Sequence, residues 1–227
     1  MLGPDALDGD GLRVPVPHPC RSRYSSPNGA FDEMVKRRGY RLGKRAESAS
    51  LTRQRIVEAT LTLHDEQGIT GTSVRDVAGR AGVAPATVLH HFPRMNDLIQ
   101  ACGELSGALA PMPTEAIFAA GADRASRVRA LTLELFAWWE RLGPGWNHLQ
   151  VDRRELGQVD AWLNEVAERH RHLVSIGLGP AASSSVEVVA AMTTQGVWSS
   201  LRASGSSTED AANQVARLIN RSLEGVQ

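Results

Sequence analysis

The stretch TSVRDVAGRAGVAPATVLHHF, residues 72–92, decides the fold. Ser73 is followed three residues later by Asp76, the spacing of a capping box, in which hydroxyl and carboxylate satisfy orphan amides at a helix start. Val74, Val77, Ala78 and Ala81 then recur at spacings of three and four, one face of a helix, and Gly82 supplies the stop. Only Val83 and Ala84 intervene before Pro85, which suits a first helical position because it has no amide hydrogen to leave unpaired. A very short second helix therefore runs from Pro85 to about His91 and closes at Phe92-Pro93. Two short helices joined by a glycine-containing turn are a helix-turn-helix.

Outward from this pair the same period continues. Upstream, Leu51, Ile56, Ala59 and Leu63 mark an amphipathic helix that Gly68 ends, and downstream Leu98, Ile99 and Cys102 lie on a helix from Asn96 to about Leu105. Such a motif presents the start of its second helix to base edges in the major groove. With Val88 and Phe92 turned inward, Ala86, Thr87, His90 and His91 are left for DNA. Thr87 can donate to phosphate or touch a thymine methyl, and a histidine can bond to phosphate or base. The bland alternative for His91 is packing under Phe92, and for His90 a solvated surface.

Formal net charge is zero, with 25 basic and 25 acidic residues, which does not by itself favour a polyanionic partner. The distribution overrides the total. Lys36, Arg37, Arg38, Arg41, Lys44, Arg45, Arg53 and Arg55 are opposed between positions 36 and 55 by Glu47 alone. Residues 1–48, rich in Gly, Pro, Ser and Arg, read as a disordered basic extension, and Met34 offers an alternative start. That arm is expected to lie along the DNA backbone or in the minor groove.

From Thr52 to Ile99 the segments Arg55-Ile56-Val57-Glu58-Ala59, Gly68, Thr72 to Ala78, Ala81-Gly82-Val83, Thr87, His91-Phe92 and Asp97-Leu98 resemble the N-terminal domain of TetR-family regulators in order and spacing. The resemblance implies an all-α protein: a three-helix DNA-binding domain with the helix-turn-helix over residues 49–99, then a helical ligand-binding and dimerisation bundle over 100–227. It further implies phosphate contacts from the start of the first helix, at Arg53, and from Thr72, Ser73 and Arg75. Ala84, Pro85, Ala86, Thr87, His90 and His91 would read the groove. Three positions depart from the family's habit: Ala84 replaces a capping Ser or Thr, Leu89 a Tyr, and Met95 a Lys. Each removes a polar contact, so Thr87, His90 and the basic arm are expected to supply the affinity.

Beyond Ala110-Pro111-Met112-Pro113 the pattern resumes, with stripes at Val128, Leu131, Leu135, Trp138 and Leu142, and at Leu156, Val159, Leu163, Val166, His170 and Leu173. Two last helices are expected, one over Val186–Arg202 and one opened by Ser207 and Asp210 and striped by Ala212, Val215, Ala216, Ile219 and Leu223. In the family such a pair docks on its copy, which makes Val189, Gly196, Val197, Val215 and Ile219 the expected homodimer interface; the alternative is that both helices close the subunit's own core. Trp138, Trp139 and Trp162, with Trp146, are candidate pocket walls for an apolar or aromatic effector, since no cluster of like charges marks the region.

The implied function is a ligand-responsive repressor, binding a palindromic double-stranded operator as a homodimer. A helical adaptor of the same fold with reduced DNA binding is the alternative, motivated by Leu89 and Met95. An enzyme is disfavoured, because the sequence has no Gly-rich phosphate loop after a strand, no GxSxG and no metal-ligand set. His170 and His172 are two apart, on different sides of a helix, so neither metal nor cofactor is expected. Cys20 and Cys102 read as free thiols. No apolar run approaches a membrane span, and a cytoplasmic location is expected.

Overall fold

In the computed structural model, which describes residues 28–119 and 123–224, ten α-helices and two 3-10 turns follow one another, with no strand among the described residues. The helices are α1 (Asn28–Gln67), α2 (Val74–Ala81), α3 (Pro85–His91), α4 (Met95–Leu109), α5 (Arg124–Leu142), α6 (Gly145–Asp152), α7 (Gly157–Leu178), α8 (Val186–Met192), α9 (Gln195–Ala203) and α10 (Thr208–Glu224). Among the described residues, those from Glu47 on make one compact unit and those up to Ala46 another. Residues 28–48, read from composition as lacking regular structure, are helical. After Pro27 no proline occurs before Pro85, and Ala, Glu, Met, Lys, Arg and Leu dominate; these residues lose little freedom in a helix even without an apolar stripe. The rest of that expected extension, residues 1–27, lies outside the described residues.

Two separate cores organise the larger unit. The first joins the second half of α1 to α2, α3 and the start of α4 through Ile56, Leu63, Val77, Val88, Phe92 and Leu98, all at most 5% exposed. These are the positions the three-four spacing selects, and burying each is worth about 1.5–3 kcal/mol. Met95, expected to stand where a phosphate contact would be, is half-buried against this core. The second core gathers α5, α7, α8 and α10 around Leu131, Leu135, Phe136, Val174, Val215 and Ile219. Helix α4 links the two: Leu98 and Ala101 belong to the first core, and Ala110 at its C-terminal end belongs to the second.

The expected helix over Val186–Arg202 is broken into α8 and α9. The carbonyl of Thr193 accepts from the Trp139 indole at 3.0 Å instead of continuing the helical ladder. The Thr193 hydroxyl donates to the Val189 carbonyl at 2.9 Å. It has one proton, so at 2.8 Å the Nε2 of His170 must be the donor to it.

Two groups of expectations need correction. Val189, Val215 and Ile219 are at most 3% exposed and belong to the subunit's own core, so they form no outward face; Gly196 is exposed and Val197 half-buried. The small, apolar character read as an interface is what lets α10 pack closely on α5. Likewise Trp138 and Trp139 are 2% and 3% exposed, and their indole nitrogens donate to the carbonyls of Ala110 and Thr193. They are core tryptophans with satisfied N–H groups, not cavity walls.

Candidate nucleic-acid interface

Helix α2 begins with the expected capping box. The Asp76 amide donates to Ser73 Oγ at 3.2 Å, and the Ser73 amide donates to Asp76 Oδ2 at 3.0 Å. The Ser73 hydroxyl also donates to that carboxylate at 2.6 Å, and these bonds hold the Asp76 carboxyl below the usual carboxylate range. Gly82 closes the helix at φ 64°, ψ 40°, a left-handed conformation that costs a side-chain-bearing residue energy. Its amide and that of Val83 both donate back to α2, and the carbonyl of Ala81 accepts from the Arg55 guanidinium of α1. The turn between the two helices is thereby fixed from three sides.

Helix α3 starts at Ala84, whose side chain makes no cap, with Pro85 at the first helical position and the Thr87 amide donating to the Ala84 carbonyl at 2.9 Å. Val88 is buried beneath it. Ala84, Pro85, Ala86 and His90 are exposed, and Thr87 and His91 half-buried; the Thr87 hydroxyl enters no hydrogen bond among the described residues. Leu89 is 49% exposed on the same helix. The His90 and His91 rings meet edge to face, with centroids 5.5 Å apart.

The candidate phosphate contacts divide into two kinds. Arg53 is exposed, its guanidinium carbon 4.7 Å from the centroid of the Phe92 ring, an arrangement that holds a cation in place without using its N–H donors. Arg75 is exposed and enters no hydrogen bond among the described residues. By contrast Thr72 donates its hydroxyl to the Gly68 carbonyl at 2.7 Å and its amide to that of Ile69, while Ser73 spends both donors on Asp76. Arg94, which sequence reasoning passed over, is the N-cap of α4 and pairs with Asp97 through two 3.0 Å bonds, its side chain 80% exposed. Arg80 is bound twice by Glu66.

A cavity of about 540 Å³ lies among α1, α4, α6 and α7. Trp146 and Trp162 form part of its wall, their ring centroids 6.1 Å apart, and Leu61 and Ile99 line it too. Of the four expected pocket tryptophans, Trp146 and Trp162 line this cavity, and Trp138 and Trp139 do not. Its titratable groups are ones the sequence pattern concealed: His64 and Asp65 from α1, and Cys102 and Glu104 from α4. Burial brings His64 down to about 4, against the pull of Asp152, and pushes the Cys102 thiol up to about 12, so both are uncharged at neutral pH; Sγ and Nδ1 are 3.4 Å apart.

Helix α6, which contributes Gly145 and Trp146 to that wall, ends in Asp152, 2% exposed. The carboxylate accepts from the amides of Ile69 and Thr70 at 2.7 and 3.2 Å and from the Thr70 hydroxyl at 2.6 Å. It therefore holds the segment that leads from α1 into α2. Gly68 permits this approach: its φ is 79°, and a Cβ there would stand 3.1 Å from Asp152 Oδ2 and 3.3 Å from the His148 Cβ.

Comparison with known proteins agrees with this geometry. Residues 56–102 match the family model of bacterial regulatory proteins, tetR family. Over 63 residues the chain is 36% identical to the HTH-type transcriptional regulator AcrR of Shigella flexneri; that match spans 28% of this chain and 29% of the relative. The crystal structure of a Rhodococcus sp. protein assigned to the TetR family of transcriptional regulators superposes with a TM-score of 0.51 at 22% identity, covering 74% of this chain and 97% of that one. At that identity the likeness speaks to the fold. No helix among the described residues is long and apolar enough to cross a membrane.

Proposed function

We propose that this chain, whose residues 56–102 match the family model of bacterial regulatory proteins, tetR family, is a cytoplasmic, sequence-specific DNA-binding regulator of that family: an effector-responsive repressor that grips a palindromic operator as a homodimer. The observation that carries the reading is the outer side of α3. Small exposed residues at its start let the backbone approach the groove, and Thr87 and His90 follow with polar groups not consumed inside the fold. Arg53 and Arg75 stand beside them as phosphate clamps. Thr72 and Ser73 act differently, as the residues that set the position of α2.

The cavity supplies the effector site. Its walls include α6, whose Asp152 carboxylate caps the approach to α2, and α4, which links the two cores. A ligand that favours a different seat for α6 or α4 therefore shifts the population of dimers in which both α3 helices are spaced for the operator. Two half-sites about 34–36 Å apart, or a multiple of that, are then no longer engaged together.

The exposed Leu89 favours a second reading, a helical adaptor whose α3 meets an apolar protein surface. A mobility shift on the DNA upstream of the protein's own gene separates the two. The regulator loses at least about thirtyfold in specific affinity on Thr87→Ala combined with His90→Ala, as each good base contact is worth about 1–3 kcal/mol. Weak, sequence-independent binding that the double variant leaves unchanged speaks for the adaptor.

A further inference from the structure

The sequence shows no cluster of like charge in the C-terminal half, but the fold makes one at the cavity. Asp65 from α1 and Glu104 from α4 both line it, and no lysine or arginine is among the residues that do. The histidine that lines it is neutral, because burial holds His64 near a pKa of about 4. Asp65 is half-buried and accepts no hydrogen bond among the described residues; burial pushes its carboxyl up, although His148 pulls it down. Its carboxylate rests against Gly145 at the first turn of α6. The helix end that would attract an anionic ligand is thus already faced by an anion.

Glu104 stands at the exposed rim and accepts from Gln100 at 3.1 Å. The indoles of Trp146 and Trp162 line the same cavity, set at 62° to each other. An indole face is itself an attractor of positive charge. The volume, about 540 Å³, is that of a small-molecule site.

We propose that this cavity binds a lipophilic organic cation, its aromatic body against Trp146 and Trp162 and its delocalised or quaternary charge answered by Asp65 and Glu104. The inference rests on the reading of the cavity as the effector site. It excludes organic anions, and it adds a positive charge to the apolar or aromatic effector expected from sequence.

The test is a pair of ions of one shape and opposite charge. Tetraphenylphosphonium, titrated into the full-length protein by calorimetry and tryptophan emission, is expected to bind saturably, and tetraphenylborate to bind at least about tenfold more weakly. Glu104→Gln, at an exposed rim position that the core does not use, is expected to weaken the cation alone; adding Asp65→Asn removes the preference between the two ions. Equal binding of both ions, or a double variant that keeps both its thermal transition and its preference for the cation, overturns the proposal. So does an absence of phosphonium binding in protein that still grips its operator, a result that leaves the regulator reading standing. Phosphonium that binds without releasing the operator keeps the ligand class and instead contradicts the role of the cavity as effector site.

Discussion

Arg53 over the Phe92 ring gives the proposed DNA interface a cation that the fold itself positions. Arg53→Ala is expected to weaken binding to every sequence alike and to lower the slope of log affinity against log salt by about one, measured by fluorescence anisotropy at several salt concentrations. Ser73 behaves otherwise, because its donors are spent on Asp76. Ser73→Ala should cost about 0.5–2 kcal/mol of stability in a urea melt and leave that slope unchanged. The buried imidazoles set the acid limit of the fold. His64 and His170 are held near about 4 by burial against 6.5 in the unfolded chain. The unfolded chain therefore takes up protons first, and stability is full above pH 6.5 and falls as pH drops towards 4, each histidine contributing on the order of 3 kcal/mol at the acid end. Urea melts at pH 7 and 4.5 measure this; a flat profile, or a slope that His170→Gln does not reduce, contradicts it.

At the scale of elements, α2 and α3 were legible because their signals are local: a hydroxyl and carboxylate three apart, a stop glycine, a proline, an apolar residue every third or fourth place. What escaped the sequence was set by partners far along the chain. The break between α8 and α9 exists because Trp139 and His170, 54 and 23 residues away, claim the backbone and hydroxyl of Thr193. The tie between Asp152 and Ile69 spans 83 residues and carries no motif. That tie makes α6 a device for positioning the helix-turn-helix. Asp152→Ala leaves the amides of Ile69 and Thr70 without their acceptor, at roughly 1–3 kcal/mol each. Faster hydrogen exchange at those two amides, a lower melting temperature and weaker operator binding are expected together. Exchange rates equal to those of the parent protein would remove α6 from the coupling.

At the scale of the whole molecule, a chain of zero net charge can bind a polyanion only through local arrangement, which is why the spent or free state of each arginine matters more than their number. The two helices of the helix-turn-helix could be read from sequence nearly residue by residue, whereas the cavity could not: Asp65 and Glu104 are 39 positions apart on different helices, and only packing unites them. The expected dimer residues failed for the converse reason, since a buried stripe looks the same whether a partner or the subunit itself covers it. With Val189, Val215 and Ile219 spent on the subunit core, the outer faces of α8 and α10 remain, where Val188 is 61% and Leu218 55% exposed. Sedimentation should find a dimer that Val188→Glu with Leu218→Glu converts to a folded monomer; a dimer that survives both puts the interface elsewhere. The central claim, that α3 reads a two-fold DNA site, is tested most directly by selection from a pool of randomised duplexes. The parent protein is predicted to enrich an inverted repeat with half-sites about one helical turn apart, or a multiple of it, and the Thr87→Ala, His90→Ala variant to enrich none. A parent protein that enriches no motif, or a variant that enriches the same one, would contradict it.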